Sequence, residues 1–154
     1  MKYLSPQKQP NPWSCLPTAF AMAAGLPVSQ LIEEIGHDGS RLVTTSTPGM
    51  PEQAGFHPQE VIWPLVSRYG FMITEISDAI IEDDVVPTDL LPSTWDRFQL
   101  LRENFHMVYA FADKNGKGHA YAWDAARQLY IDPKNRDRLD VVEQYPAIVW
   151  LVKD

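Results

Sequence analysis

Gln9-Pro10-Asn11-Pro12-Trp13-Ser14-Cys15-Leu16-Pro17-Thr18-Ala19-Phe20-Ala21-Met22-Ala23-Ala24 is a proline-stiffened loop that runs into a stretch of small and apolar residues. Residues 15–24 are apolar or small on nearly every face, which predicts a helix buried on all sides. Gly25 can stop it in the left-handed conformation. Pro27 then opens a second, amphipathic helix through Ile35, with Leu31, Ile32 and Ile35 apolar and Glu33 and Glu34 outward, and Gly36 closes it. A first helix with no wet stripe needs cover from elsewhere in the chain.

That cover is a set of β-type runs toward the C-terminus. Residues 107–112, 119–124, 128–132 and 147–153 read as short strands, separated by Asn115-Gly116, by Ala125-Ala126-Arg127 and by a charged loop. Between the two regions, residues 37–57 are rich in Gly, Ser, Thr and Pro and lack a period, so they read as a long irregular loop. Residues 58–69 read as a third helix capped by Gly70, residues 71–76 as a strand, and residues 95–103 as a short helix. Helices first and a largely antiparallel sheet afterwards predict an α+β fold, with the N-terminal helices packed on a C-terminal sheet. Residues 1–154 read as a single domain, and 45% apolar content with 11% aromatics is enough for one continuous core.

Composition narrows function. Thirteen basic against twenty acidic residues give a net charge of −7, which disfavours a nucleic-acid partner because phosphate contacts need clustered Lys and Arg. No basic residue stands between Arg68 and Arg97, whereas Glu75, Asp78, Glu82, Asp83, Asp84 and Asp89 accumulate there; a solvated acidic surface is the simpler reading, a docking patch for a basic partner the alternative. No apolar run reaches the roughly 18 residues of a membrane span, and the N-terminus lacks a signal-peptide stretch, so no membrane role and a cytoplasmic location are expected. One cysteine cannot form an internal disulfide. Neither C-x-x-C nor H-x-x-x-H spacing occurs, and no Gly-rich phosphate loop, so neither metal nor cofactor is expected.

The lone thiol is where chemistry concentrates. A free cysteine is often just a small buried hydrophobe, but Cys15 stands in the first turn of a helix, where unpaired N–H groups and the macrodipole favour thiolate. Nucleophilic catalysis by cysteine also needs a base, a group to orient that base, and donors for the oxyanion. His119 and Asp132 can supply the first two if their strands are antiparallel neighbours, because their side chains then meet on one face. The amide of Gln9 and the backbone N–H of Cys15 can supply the donors. Each has a plainer reading: Gln9 as a loop residue, His119 as a strand histidine satisfied by a carbonyl, Asp132-Pro133 as a turn starter. His37, His57 and His106 compete for the base, and Asp124 is the reserve carboxylate. Trp13, two residues before the thiol, is the tryptophan best placed to border a substrate groove, with Ser14 and Gly118 beside the reacting groups.

Gln9 six positions before Cys15 at a buried helix start, Gly118-His119 opening a strand, and Tyr130-Ile131-Asp132-Pro133 ending the next together resemble the papain-like cysteine peptidases. The bacteriocin-processing (C39-like) branch is the nearest, and the segment from Gly25 to Gly36 followed by His37-Asp38-Gly39 is similar to it as well. The likeness spans roughly residues 7–152. It implies a papain-like fold, with Gln9 as oxyanion donor, Cys15 as nucleophile, His119 as base and Asp132 as its orienting group. The implied activity is cleavage of a peptide or isopeptide amide through a thioester acyl-enzyme, with a peptide or protein as substrate. Ser14, Leu16 and Pro17 depart from the branch, which commonly has an acidic or small residue before the cysteine and glycine after it. A catalytically silent binding module and an acyl transferase are the alternatives.

Overall fold

The computed structural model of the chain describes residues 1–40, 42–43, 53–76, 94–112, 118–142 and 148–154. Helix α1 (Cys15–Ala24) buries every residue from Pro17 to Ala23, as expected of a stretch without a polar stripe. Gly25 ends it at φ 72°, its N–H donating to the carbonyls of Ala21 and Met22, a conformation in which a side chain would be strained. Helix α2 (Val28–Ile35) follows and turns Val28 and Leu31 inward.

A two-stranded antiparallel pair, β1 (Leu42–Val43) and β2 (Gln53–Ala54), lies within residues 37–57, where the lack of a sequence period predicts an irregular loop. Helix α3 (Pro58–Ser67) ends two residues earlier than its apolar period suggests, and β3 (Met72–Glu75) comes next. Helix α4 (Thr94–Asn104) precedes β4 (Met107–Ala112), β5 (Gly118–Asp124), β6 (Leu129–Ile131), β7 (Arg138–Leu139) and β8 (Ile148–Lys153). The Asn115-Gly116 turn and the acidic residues 78–89 lie outside the described residues.

Six strands form one antiparallel sheet in the order β3-β8-β4-β5-β6-β7. The last strand in sequence thus lies between β3 and β4, and the segregation of helices from strands is incomplete, since β3 precedes α4. Alternation along the strands divides the sheet into two faces. Val108, Ala120, Ala122, Ile131, Trp150 and Val152 face α1 and pack with its Phe20, Ala19 and Met22. The Phe20 and Trp150 rings lie 5.3 Å apart. Burying a ring the size of Phe20 contributes about 2 kcal/mol. On the opposite face Met107, Tyr109, Phe111, Trp123, Tyr130 and Val149 close a second cluster with Phe98 of α4. Ala120 and Ala122 are small, which lets α1 lie close against β5 and brings its N-terminus to that strand. Among the described residues no helix is long and apolar enough to cross a membrane.

Candidate active site

Strand β6 pairs with β5 antiparallel through Ala122↔Ile131, Trp123↔Tyr130 and Asp124↔Leu129. In that register His119, Tyr121 and Trp123 project to the same side of the sheet as Tyr130, and the residue just past β6, Asp132, follows in phase. His119 Nε2 lies 2.8 Å from Asp132 Oδ1, both side chains being largely covered. An ionised carboxylate only accepts, so Nε2 carries the proton it donates, and Nδ1 is the nitrogen left to receive another.

Asp132 is itself firmly held. Its Oδ1 also accepts the Lys134 N–H at 2.9 Å, its N–H donates to Asp137 O at 2.9 Å, and its carbonyl accepts the Arg136 N–H at 2.8 Å. The carboxylate therefore does start a turn before Pro133, as Asx residues do, and the same turn aims it at His119. The turn and the bond to His119 thus share one carboxylate oxygen.

Cys15 opens α1 with Ser14 as its N-cap. The β6 register stops at Ala122, and the thiol lies against the backbone N–H of Ala120, the residue after His119. Burial pushes the thiol pKa up; the N–H groups of Ala120, Leu16 and Cys15 pull it down, and the Asp132 charge raises it. The net direction is upward. This corrects the expectation that the helix start alone would favour thiolate, because desolvation of the charged sulfur outweighs the N–H groups. A thiol in this position needs a proton acceptor.

Gln9 is tied to the same turn, its backbone N–H donating to Pro133 O at 2.7 Å. Its side-chain Nε2 donates to Asn11 O at 2.9 Å, and its Oε1 is buried without a hydrogen-bond partner among the described residues. A primary amide carries two N–H bonds, so one remains beside that to Asn11. Asn11 organises the loop before the thiol: its Oδ1 accepts the Trp13 N–H at 3.0 Å, its carbonyl accepts the Ser14 hydroxyl at 3.2 Å, and its Nδ2 donates to Asp38 O at 3.0 Å. Ser14 is fully buried. Its side chain faces the loop, not a groove, because the hydroxyl is satisfied on Asn11.

Trp13 is 37% exposed. It borders Gly39, where φ is +85° and an added Cβ would meet Phe56 Cε2 at 2.4 Å and Trp13 Cβ at 3.0 Å. Gly118 is exposed at the start of β5, and a Cβ there would meet only Phe111 O at 3.6 Å.

The competing histidines are committed elsewhere. His106 Nδ1 accepts the Ala125 N–H at 3.1 Å and its Nε2 bonds Lys2 O at 3.0 Å; burial depresses its pKa. His37 accepts the Gly39 N–H, bonds Glu60 Oε1 at 3.1 Å and stacks on Phe56, which fixes the loop behind Trp13. His57 caps α3. Asp124, the reserve carboxylate, is fully buried and accepts the N–H groups of Leu4, Ala126 and Arg127, with the Arg127 guanidinium 3.6 Å away. It ties the N-terminal lead-in to the β5–β6 turn. A cleft of about 920 Å³ lies at the other end of α1, lined by Met22, Gly25, Phe71, Phe105, His106 and Val152 among others, and includes none of Gln9, Cys15, His119 or Asp132.

Tyr121 escaped the sequence reading. Its ring meets His119 edge-on, centroids 4.6 Å apart at 89°, and Phe111 backs it at 5.3 Å and 82°. The period of two from His119 along β5 was the signal for it. No protein-family model matches the chain, and comparison with curated proteins and with solved structures finds no match.

Proposed function

We propose that the chain is a papain-like cysteine hydrolase that cleaves a peptide or isopeptide amide inside the cell, where a lone thiol stays reduced. The observation that carries this reading is the His119 Nε2 to Asp132 Oδ1 bond of 2.8 Å, which leaves Nδ1 as proton acceptor on the residue adjoining the Ala120 N–H that touches the Cys15 thiol. Nucleophilic catalysis requires an oriented imidazole within reach of the thiol, and in this reading His119 serves Cys15 at the start of α1.

The steps follow from these groups. His119 Nδ1 takes the Cys15 proton as the sulfur adds to the substrate carbonyl carbon; the tetrahedral oxyanion is met by the Cys15 N–H and the free N–H of the Gln9 amide. The C–N bond breaks, the amine leaves with the proton from His119, and a thioester remains. Water then adds to that thioester, giving its proton to His119, and the carboxylic acid departs as the thiol is restored. Because burial holds the thiol pKa up, thiolate forms by transfer to His119 and not as a standing anion. A silent binding module is the second reading, and that same burial is what favours it.

The deciding experiment is incubation with an electrophilic acyl probe and with cell lysate, followed by mass spectrometry of the Cys15 peptide. An acyl adduct that disappears in Cys15→Ala and in His119→Ala supports the hydrolase. Adducts that form equally with and without His119 overturn it.

A further inference from the structure

We propose that Tyr121 is a positioning residue for His119: its ring fixes the plane of the imidazole and screens the bond to Asp132 from water. This rests on the hydrolase reading and deepens it.

Three observations carry the inference. The Tyr121 ring stands at 89° to the imidazole with centroids 4.6 Å apart, so one side of His119 is covered by an aromatic body. Tyr121 is braced in turn: Phe111, almost wholly buried, meets it at 82° and 5.3 Å, and Phe111 is the residue directly opposite His119 across the β4–β5 ladder. The three rings thus form a row anchored in the core under α4, with His119 at its outer end. Finally, the β5–β6 register, carried one step past Ala122↔Ile131, sets Tyr121 against Asp132, and burial together with the Asp132 charge raises the phenol pKa.

A histidine held by one hydrogen bond can still rotate about that bond and swing Nδ1 away from the thiol. A second contact perpendicular to the ring removes that freedom, and an apolar body beside a 2.8 Å charged hydrogen bond slows its exchange with water. Both effects come from the ring and not the hydroxyl. Phenylalanine should therefore serve and an aliphatic side chain should not.

The test measures two quantities in wild-type protein and in Tyr121→Phe, Tyr121→Leu and Tyr121→Ala, with thermal melts to establish folding. One is the exchange rate of the His119 Nε2 proton with water by nitrogen-resolved NMR; the other is the rate of Cys15 alkylation by iodoacetamide against pH. The expected result is faster proton exchange and about tenfold slower alkylation in Tyr121→Leu, with Tyr121→Phe restoring both. Tyr121→Leu fills most of the space and covers the case in which Tyr121→Ala does not fold. Exchange in folded Tyr121→Leu equal to wild type overturns the inference, as does a Tyr121→Phe protein as impaired as Tyr121→Leu. Should exchange respond as expected while wild-type alkylation equals that of His119→Ala, the positioning of the pair stands and the hydrolase reading falls.

Discussion

The His119 imidazole and the Asp132 carboxylate, thirteen residues apart in sequence, meet at 2.8 Å, and the same Asp132 oxygen also accepts the Lys134 N–H. One atom thus serves both a turn and the orientation of His119, and a substitution there acts on both.

Under the proposed chemistry the three groups should rank by role. Cys15→Ala removes the nucleophile and should abolish acylation. His119→Ala should cost about a thousandfold or more, because without Nδ1 a buried thiol has no acceptor for its proton. Asp132→Asn should cost less than either. Rates of adduct formation with the acyl probe give the order, and His57→Ala or His106→Ala proving as damaging as His119→Ala in folded protein would refute the assignment of the base.

Gln9→Ala should lower turnover by about a hundredfold, the loss typical of one missing oxyanion donor, with substrate binding little changed. The backbone bond from Gln9 to Pro133 does not involve the side chain, so the lead-in should stay docked. A crystal structure of the variant checks the docking, and steady-state kinetics check the separation of turnover from binding.

Asp124→Ala should act on stability. The carboxylate is fully buried, and its loss strands the N–H groups of Leu4, Ala126 and Arg127. A cost of about 3 kcal/mol is expected in urea denaturation. Asp132→Asn, at a less buried site, should show the reverse profile of a large loss of reactivity and a small loss of stability. A small stability change in Asp124→Ala would contradict the anchoring role.

The raised thiol pKa has a stability consequence of definite sign. A folded-state pKa above the unfolded value favours folding while the group is neutral, so the contribution of Cys15 is full below about pH 8.5 and is lost as pH rises toward the folded value. Melting temperature should fall above that pH, and Cys15→Ala should flatten the slope between pH 8 and 9.5, roughly the window below ordinary tyrosine titration. Equal slopes in the two proteins would show that burial does not set the thiol.

Much of the fold was legible because local chemistry and packing agree. Residues 15–24 have no polar stripe and are buried almost throughout; Gly25 and Gly36 stop helices at positive φ; the strand at Met107–Ala112 has the expected limits. The paired His119 and Asp132 follow from the alternation of two strands joined by a short turn. What stayed hidden depends on partners distant in sequence. The two-residue strands at Leu42–Val43, Gln53–Ala54 and Arg138–Leu139 carry no period and exist only through their pairings. The place of the last strand between β3 and β4 is a matter of long-range order that no window of sequence contains. Burial of Cys15 belongs to the same class, since the helix start was visible but the strand covering the sulfur was not. Ser14 went the same way, with a hydroxyl absorbed by Asn11.

The turn between β5 and β6 sets the phase of everything after it. Gln128 takes φ 58° there, and the Asp124 side chain holds the N–H groups of Ala126 and Arg127. One residue more or fewer in this turn would exchange the two sides of β6, sending Ile131 outward and Asp132 toward α1, away from His119. The length of the segment is therefore the quantity that the His119–Asp132 pairing depends on. A variant with one residue added or removed between Ala125 and Gln128 should lose the bond from His119 to Asp132 even where it still folds.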